Sequence, residues 1–242
     1  MRVGDLLVLW DVDYTLVDSG GLGTRLYEAT FGEMFGRDLC PVVPKAGRTD
    51  RAIVLDTLAM AGIAEPRTRV DAFLAVLARR VAAVDGSAPP GVAAVDGSAP
   101  PGVRALPGAV AAIAALAASG ARQSVLTGNI RPLAALKLGL AGLGEHLDLD
   151  VGAYGDVHEV RAELVPVARR GAQAAYGTDF AGFLTVLVGD TPLDVAAALA
   201  TGARAVGVAT GSFPAAELAA AGAHAVLPDL TDTARVLAAV LG

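Results

Sequence analysis

Cysteine is almost absent from this sequence, since Cys40 is the one thiol in 242 residues. An internal disulfide is therefore excluded, and the composition fits a reducing compartment. Histidine is also scarce, and the three histidines lie far apart at His146, His158 and His224. Because they lack the spacing of a metal-binding motif, we assign them no role.

Positive charge is in short supply as well. The 19 Lys and Arg residues against 25 Asp and Glu residues give a net charge of −6, which predicts no electrostatic attraction to nucleic acid. Residues 105–121 carry no charge but contain Pro107 and Gly108, so we predict a buried or amphipathic helix there rather than a membrane span. Asp11 comes too early for the apolar core of a secretory signal, and we expect a cytoplasmic protein that does not contact membranes.

Two acids follow the first apolar run of the chain. Residues 6–10 read LLVLW, and Asp11 and Asp13 come next with one residue between them. Side chains two apart on a strand lean to the same side, and two neighbouring carboxylates repel each other unless a cation or a proton lies between them. A site with few carboxylates plus a phosphate suits Mg²⁺. A strand that runs into a turn, where Asp is common, is the other explanation of these two residues.

Two later strand ends and one basic residue complete a pattern. Residues 124–129 read SVLTGN, residues 184–194 read LTVLVGDTPLD, and Arg161 opens a helical stretch between them. The order of DxDxT, a strand-end hydroxyl, a basic residue and GDxxxD resembles the haloacid dehalogenase-like (HAD) hydrolase superfamily. The resemblance covers nearly the whole chain. Within the superfamily, it is to the branch of phosphoglycolate phosphatase-like and beta-phosphoglucomutase-like members.

Alternating apolar runs and helical periodicity predict an α/β fold, with a doubly wound, mostly parallel Rossmann-like sheet. The predicted strands are 5–11, 123–127, 147–152, 184–189, 204–209 and 224–227. The helices expected between or after them are 108–119, 131–140, 160–175, 191–201, 214–221 and 231–241. Ligands of such sheets bind beyond the carboxyl ends of the strands, where Asp11, Thr127 and Asp190 are expected.

An all-helical segment interrupts the alternation. The predicted helices 22–35, 49–61 and 67–84 resemble the C1 cap of HAD enzymes, which gives a core of residues 1–18 and 105–242, a cap of 19–84 and a linker of 85–104. Gly20, Gly21 and Gly23 do not complete a dinucleotide-binding loop and are interpreted as a hinge. Residues 81–91, VAAVDGSAPPG, are repeated identically at 92–102, which we interpret as a duplication that lengthens the linker.

The resemblance implies specific roles at the predicted site. Asp11 would be the nucleophile that forms an aspartyl-phosphate, and Asp13 would protonate the leaving oxygen and then activate water. Mg²⁺ would be held by the carboxylates of Asp11 and Asp190 and the backbone carbonyl of Asp13, with Asp194 behind them or as a further ligand. Phosphoryl oxygens would bind Thr127 and the backbone around Gly128 and Asn129.

The basic residue departs from the family pattern, which usually has Lys where this chain has Arg161. Arginine can bind phosphate through two nitrogens, but it is not interchangeable with lysine. Lys137, two turns into the helix after Thr127, is the rival candidate for the basic catalytic residue. We favour Arg161 for that role.

Substrate selection is expected from the cap. Lys45 and Arg48 precede a cap helix, in a loop that resembles the substrate-facing loop of related phosphatases and mutases, and could pair with a carboxylate or second phosphate. It is equally consistent that Arg48 is exposed and that Thr49 or Asp50 caps the helix.

The sequence thus predicts a Mg²⁺-dependent phosphatase for a small phosphorylated metabolite, as a monomer or homodimer. A sugar-phosphate mutase of the beta-phosphoglucomutase type, or a catalytically silent HAD-fold binding protein, is the alternative. Dehalogenation is disfavoured because dehalogenases that resemble this pattern lack an acid at the position of Asp13.

Overall fold

The structure is a computed structural model that describes residues 6–39, 43–84 and 102–242. Cys40 and residues 85–101, which include most of the duplicated segment, lie outside the described residues. Among the described residues, no helix combines the length and the apolar character needed to cross a membrane.

A five-stranded parallel sheet forms the centre of the fold, with strand order β4-β1-β5-β6-β7. A separate antiparallel ladder joins β2 and β3. The strands are β1 (Leu7–Trp10), β2 (Val17–Asp18), β3 (Arg104–Ala105), β4 (Arg122–Val125), β5 (Thr185–Gly189), β6 (Arg204–Val208) and β7 (Ala225–Leu227). The helices are α1 (Leu22–Phe35), α2 (Asp50–Met60), α3 (Pro66–Ala82), α4 (Ala109–Ala118), α5 (Arg131–Leu140), α6 (Leu164–Tyr176), α7 (Pro192–Ala200), α8 (Ala215–Ala220) and α9 (Thr233–Leu241).

Helices cover both faces of the sheet, as the sequence predicts for a doubly wound α/β fold. The alternating side chains of β1 divide between two apolar clusters: Val8 and Trp10 join α4 and α9 on one face, and Leu7 and Leu9 join α6 and α7 on the other. All four of these side chains are fully buried. A strand buried on both faces reads as a continuous apolar run, which explains the LLVLW sequence.

Helices α1, α2 and α3 form a third apolar cluster that includes Phe31, Leu58 and Phe73. Ile130 and Leu133, which lie at the start of α5, also belong to this cluster. The three helices occur where the sequence predicts an inserted helical segment, between β2 and β3. The division of the chain into a core, a cap and a linker stays a prediction.

One predicted strand is wrong. Residues 147–152 form turns, and the sheet-like pairing there is a single bridge between Leu126 and Ala153. The side chain of Asp148 accepts a hydrogen bond from the backbone N–H of Asp150 at 3.0 Å. Such a local bond turns the backbone and competes with strand pairing.

Candidate active site

Three neighbouring strands end in polar side chains at one edge of the sheet. Asp11 directly follows β1, Thr127 comes two residues after β4, and Asp190 directly follows β5. Because β1 lies between β4 and β5, the three side chains emerge next to one another. All three are buried. The structure therefore brings together the strand ends that the sequence analysis singled out.

Asp11 and Asp190 form a buried acidic cluster with Asp194, which lies in the first turn of α7. One carboxylate oxygen from each of the three lies within 4.8 Å of the others. Burial raises the pKa of Asp190 to about 8, and the charges of Asp11 and Asp194 add to the effect. Burial also raises the pKa of Asp11 to about 6, although Arg161 opposes that rise. The cluster consequently favours a bound cation or retained protons.

Asp194 is fixed in place by the start of its own helix. Its Oδ2 accepts hydrogen bonds from the backbone N–H of Thr191 at 3.1 Å and from the Thr191 hydroxyl at 2.7 Å. In return, the Thr191 hydroxyl accepts a bond from the Asp194 N–H, which completes a capping box. The other carboxylate oxygen, Oδ1, is turned towards Arg161.

Arg161 is the cation in direct contact with this cluster. It opens a 3₁₀ turn (Arg161–Glu163) just before α6, and its side chain is buried. Nη2 lies 2.8 Å from Oδ1 of Asp11 and 2.6 Å from Oδ1 of Asp194, and it also donates to the carbonyl oxygen of Leu126. These two carboxylates outweigh the effect of burial and raise the pKa of Arg161. The residue expected to be the basic group thus contacts the expected nucleophile.

The donor set of the cluster fits a divalent cation. Three carboxylates share one guanidinium, so two negative charges remain without a partner when all three acids are ionised. Oxygen ligands with excess negative charge are what hard divalent ions require. Asp11, Asp190 and Asp194 are the residues that could hold such an ion.

Asp13 belongs to a separate group of polar side chains. Lys137 donates from Nζ to both of its carboxylate oxygens, at 2.8 and 2.6 Å, and Asn129 donates to Oδ2 at 2.8 Å. Asn129 also donates to the hydroxyl oxygen of Thr127 at 2.8 Å. Although burial acts in the opposite direction, the contacts with Lys137 and Asn129 lower the pKa of Asp13. Lys137, the rival basic residue, is thus paired with Asp13.

The loop after β4 is closely covered by the start of α2. The carbonyl oxygen of Gly128 accepts a hydrogen bond from the backbone N–H of Asp50 at 2.7 Å. A Cβ atom on Gly128 would lie 2.0 Å from the carbonyl oxygen of Arg48, so a residue with a side chain cannot fit without displacing the backbone. This close approach explains why glycine separates Thr127 from Asn129.

A cavity of about 240 Å³ joins these groups to the helical segment. Lys45 lines the cavity, where its Nζ lies 5.0 Å from the ring centre of Tyr27 and donates to the Thr24 hydroxyl at 3.1 Å. Burial lowers the pKa of Lys45 from its ordinary value. The predicted substrate-facing lysine therefore lies at the cavity.

Arg48, which precedes α2, also lines the cavity, but its guanidinium bonds to residues of that helix. Nη2 pairs with Asp56 at 2.5 Å and donates to the carbonyl oxygen of Ala52 at 3.3 Å. The Thr49 hydroxyl accepts a bond from the N–H of Ala52, so Thr49 is the N-cap of α2. Thr49 thus caps the helix, as one interpretation of this loop predicts, but Arg48 is partly buried rather than exposed. Contact of Arg48 with a substrate stays a prediction.

Sequence reasoning assigned no role to several residues that the structure places at the site. The Thr15 hydroxyl donates to Asp190 at 3.5 Å, and a Cβ on Gly211, which follows β6, would lie 1.8 Å from an Asp190 oxygen. Tyr27 donates to the buried carboxylate of Asp50 at 2.6 Å. The Thr-Gly-Ser sequence at 210–212, just past an apolar strand, was a signal that could have indicated a fourth strand end.

The sequence matches the family model described as haloacid dehalogenase-like hydrolase over residues 8–199. A search of curated proteins finds no match. The matched range contains the strand ends described above, including Asp11 and Asp190.

Solved structures of similar fold cover almost the whole chain. A HAD family hydrolase from Deinococcus radiodurans R1, with bound phosphate and sodium, is 26% identical with a TM-score of 0.52, and the match covers 99% of this chain and 96% of that one. A predicted phosphatase from Clostridium acetobutylicum is 17% identical with a TM-score of 0.66, covering 96% and 98%. A hydrolase from Pseudomonas syringae is 20% identical with a TM-score of 0.63, covering 96% and 97%.

Proposed function

Because this chain belongs to the haloacid dehalogenase-like hydrolase family, we propose that it is a Mg²⁺-dependent phosphatase that acts through an aspartyl-phosphate. The observation that carries the proposal is the buried cluster of Asp11, Asp190 and Asp194, with Asp13 in the lining of the same cavity as Asp11 and Asp190. Bound phosphate in the Deinococcus radiodurans relative, at 26% identity, supports the choice of phosphate chemistry.

Asp11 is the proposed nucleophile. A carboxylate oxygen of Asp11 attacks phosphorus and the bond from phosphorus to the leaving oxygen breaks. Asp13, which takes up a proton when the anionic substrate binds beside it, gives that proton to the leaving oxygen. Water then attacks the phosphorus of the aspartyl-phosphate, Asp13 takes a proton from that water, and Asp11 is released with inorganic phosphate. Asp13 therefore acts first as an acid and then as a base.

Charge on the transferred group is balanced by the residues around Asp11. Mg²⁺, held by Asp11, Asp190 and the backbone carbonyl of Asp13 with Asp194 nearby, would neutralise phosphoryl oxygens. Arg161 holds Asp11 and Asp194 in place as fixed carboxylates. Thr127 and the backbone at Gly128 and Asn129 are the proposed donors to phosphoryl oxygens.

The proposed substrate is a small organic phosphate monoester. A cavity of about 240 Å³ leaves room for a compact leaving group beside the phosphoryl group. Lys45, at the cavity, is the proposed partner of an anionic group on the substrate, whereas Arg48 is held by Asp56. We propose a monomer or homodimer that needs no nucleic acid or membrane.

The test is a phosphate-release screen over a broad panel of metabolite phosphates, with Mg²⁺ present or removed by a chelator. We expect release of phosphate that requires the metal and is lost in Asp11→Asn. The matched control is Asp150→Asn, because Asp150 is a highly exposed carboxylate paired with Arg131 outside the site. Full activity in Asp11→Asn would contradict the proposal.

Two other outcomes distinguish the alternatives. A sugar-phosphate mutase would interconvert phosphate isomers with little phosphate release, which ³¹P NMR detects. A silent binding protein would bind Mg²⁺ and phosphate without turning over any ester in the panel. Either result would replace the phosphatase assignment.

A further inference from the structure

Lys137 is buried at a position where a lysine needs a specific partner. It lies in α5, and its side chain is 3% exposed. Buried ammonium groups are costly unless they are paired and hydrogen-bonded. Lys137 meets that requirement entirely within the site, since Nζ donates to both oxygens of Asp13 and, at 2.8 Å, to the amide oxygen of Asn129.

These contacts use the full donor capacity of the ammonium group. A lysine has three N–H donors, and three oxygens from Asp13 and Asn129 lie within hydrogen-bond distance of Nζ. The start of α1 packs against this ammonium group: a Cβ atom on Gly23 would lie only 3.5 Å from Nζ. Lys137 lines the cavity, but a phosphoryl group that bonded to Nζ would have to replace one of these oxygens as the acceptor.

Asp13 and Asn129 are in turn held by each other. Asn129 donates to Asp13 and to the hydroxyl oxygen of Thr127, both at 2.8 Å. The Asp13 side chain itself is 29% exposed at the cavity. Lys137 and Asn129 therefore fix the direction of a carboxyl group that would otherwise be free to rotate at the cavity surface.

We propose that Lys137 is a positioning residue that orients the Asp13 carboxyl for proton transfer, and that it does not bind the transferred phosphoryl group. This rests on the proposed phosphatase function, in which Asp13 protonates the leaving oxygen. A proton donor must lie within hydrogen-bond reach of the atom it protonates, and small misplacements cost large factors in rate. The two basic residues then have different roles: Arg161 contacts the nucleophile Asp11, and Lys137 contacts the proton donor Asp13.

Leaving groups of different basicity test this assignment. An aryl phosphate with a good leaving group, such as p-nitrophenyl phosphate, needs no proton donor when its bond breaks, whereas an alkyl phosphate does. The quantity to measure is kcat/KM, because it reports the steps up to departure of the leaving group. For Lys137→Met, we expect kcat/KM to fall by about 10²-fold for the alkyl ester and to change little for the aryl ester.

Further variants make the comparison specific. Asp13→Asn should show the same selectivity for leaving groups, and the double variant Asp13→Asn/Lys137→Met should be no slower on the alkyl ester than Asp13→Asn alone. Lys45→Met, which removes the other lysine of the chain, should instead raise KM for esters that carry a second anionic group, whatever the basicity of their leaving group. If Lys137→Met does not fold, Lys137→Gln retains a donor and should show a smaller loss with the same selectivity.

The proposal would be overturned if Lys137→Met lost kcat/KM equally on both esters while Asp13→Asn lost it mainly on the alkyl ester. Lys137 would then be assigned to the phosphoryl group. Losses that multiply in the double variant would also overturn it, because they indicate independent roles. Failure of the underlying function would look different, since Asp11→Asn would then keep its activity on both esters.

Discussion

Arg161 and Asp11 form a buried ion pair in which Nη2 lies 2.8 Å from Oδ1, although they come from opposite parts of the chain. The same nitrogen contacts Asp194 at 2.6 Å. The guanidinium therefore separates two acids that would otherwise repel each other in a buried site. Removing it leaves like charges together without a partner, which is among the most destabilising changes a protein interior can undergo.

We expect Arg161→Met to lower the free energy of unfolding by about 3–5 kcal/mol in metal-free buffer. Saturating Mg²⁺ should restore part of this loss, because a cation at the acidic cluster replaces the missing charge. Urea unfolding with and without Mg²⁺ measures both effects. The matched control is Arg131→Met, whose exposed pair with Asp150 should be worth no more than about 1 kcal/mol. Similar losses in the two variants would contradict the prediction.

The acidic cluster also predicts how stability depends on pH in metal-free buffer. Burial raises the pKa of Asp190 to about 8, whereas an unfolded aspartate has a pKa of about 3.9. Between these values the folded state binds more protons than the unfolded state, so the contribution of Asp190 to stability falls as pH rises from about 4 to about 8. Asp11, with a pKa raised to about 6, acts in the same direction.

The wild-type urea midpoint should therefore fall more between pH 5 and pH 8 than that of Asp190→Asn. Mg²⁺ should raise the wild-type midpoint more at pH 8 than at pH 5, because the metal competes with protons for the same oxygens. Parallel pH curves for the two proteins would refute this account of Asp190.

Tyr27 and Asp50 link helix α1 to the start of α2. The tyrosine hydroxyl donates to Asp50 Oδ1 at 2.6 Å, and Oδ2 of the same buried carboxylate accepts from the backbone N–H of Ile130 at 2.8 Å. A double-mutant cycle of Tyr27→Phe and Asp50→Ala should give a coupling free energy of roughly 1–3 kcal/mol, because a hydrogen bond to a buried carboxylate is stronger than one between neutral groups. Additive losses in urea unfolding would exclude this linkage.

Tyr14 has a backbone conformation that favours glycine. Its φ angle is 56°, its N–H bonds to the carbonyl oxygen of Val17, and its side chain is 52% exposed. Tyr14→Gly should therefore raise the free energy of unfolding by about 0.5–1 kcal/mol, since the left-handed conformation costs glycine less and little packing is lost. We expect an increase for Glu65→Gly as well, because the φ angle of Glu65 is 50°. A stability loss at both positions would show that the strain argument fails.

Most of the strands could be predicted because buried parallel strands appear in the sequence as continuous apolar runs. The run before Asp11 and the run before Asp190 each end where the structure ends a strand. Since parallel strands end at one edge, the meeting of these acids followed from the fold class alone. The turn at 147–152 escaped prediction because a local bond between Asp148 and Asp150 outweighs its apolar pattern.

Side-chain partners were harder to predict than positions. The pairing of Lys137 with Asp13 depends on which way the second turn of α5 faces, and no spacing in the sequence fixes that direction. The pairing of Arg48 with Asp56 was equally hard to predict, because the two residues lie eight positions apart and no helical spacing relates Arg48, which precedes α2, to Asp56. The sequence therefore predicted the members of the site, while their partners emerged only from the packing of α2 and α5.

The start of α2 rests directly on the loops that form the site. The amides of Asp50 and Arg51 donate to the carbonyl oxygens of Gly128 and Gly155, at 2.7 and 2.9 Å. Lifting this end of the helix would release both carbonyls at once, so opening of the cavity and loosening of the loop around Thr127 form one event. The rates of hydrogen–deuterium exchange at these two amides should therefore report how often the cavity opens. A phosphate analogue bound in the cavity should slow exchange at both amides to the same extent.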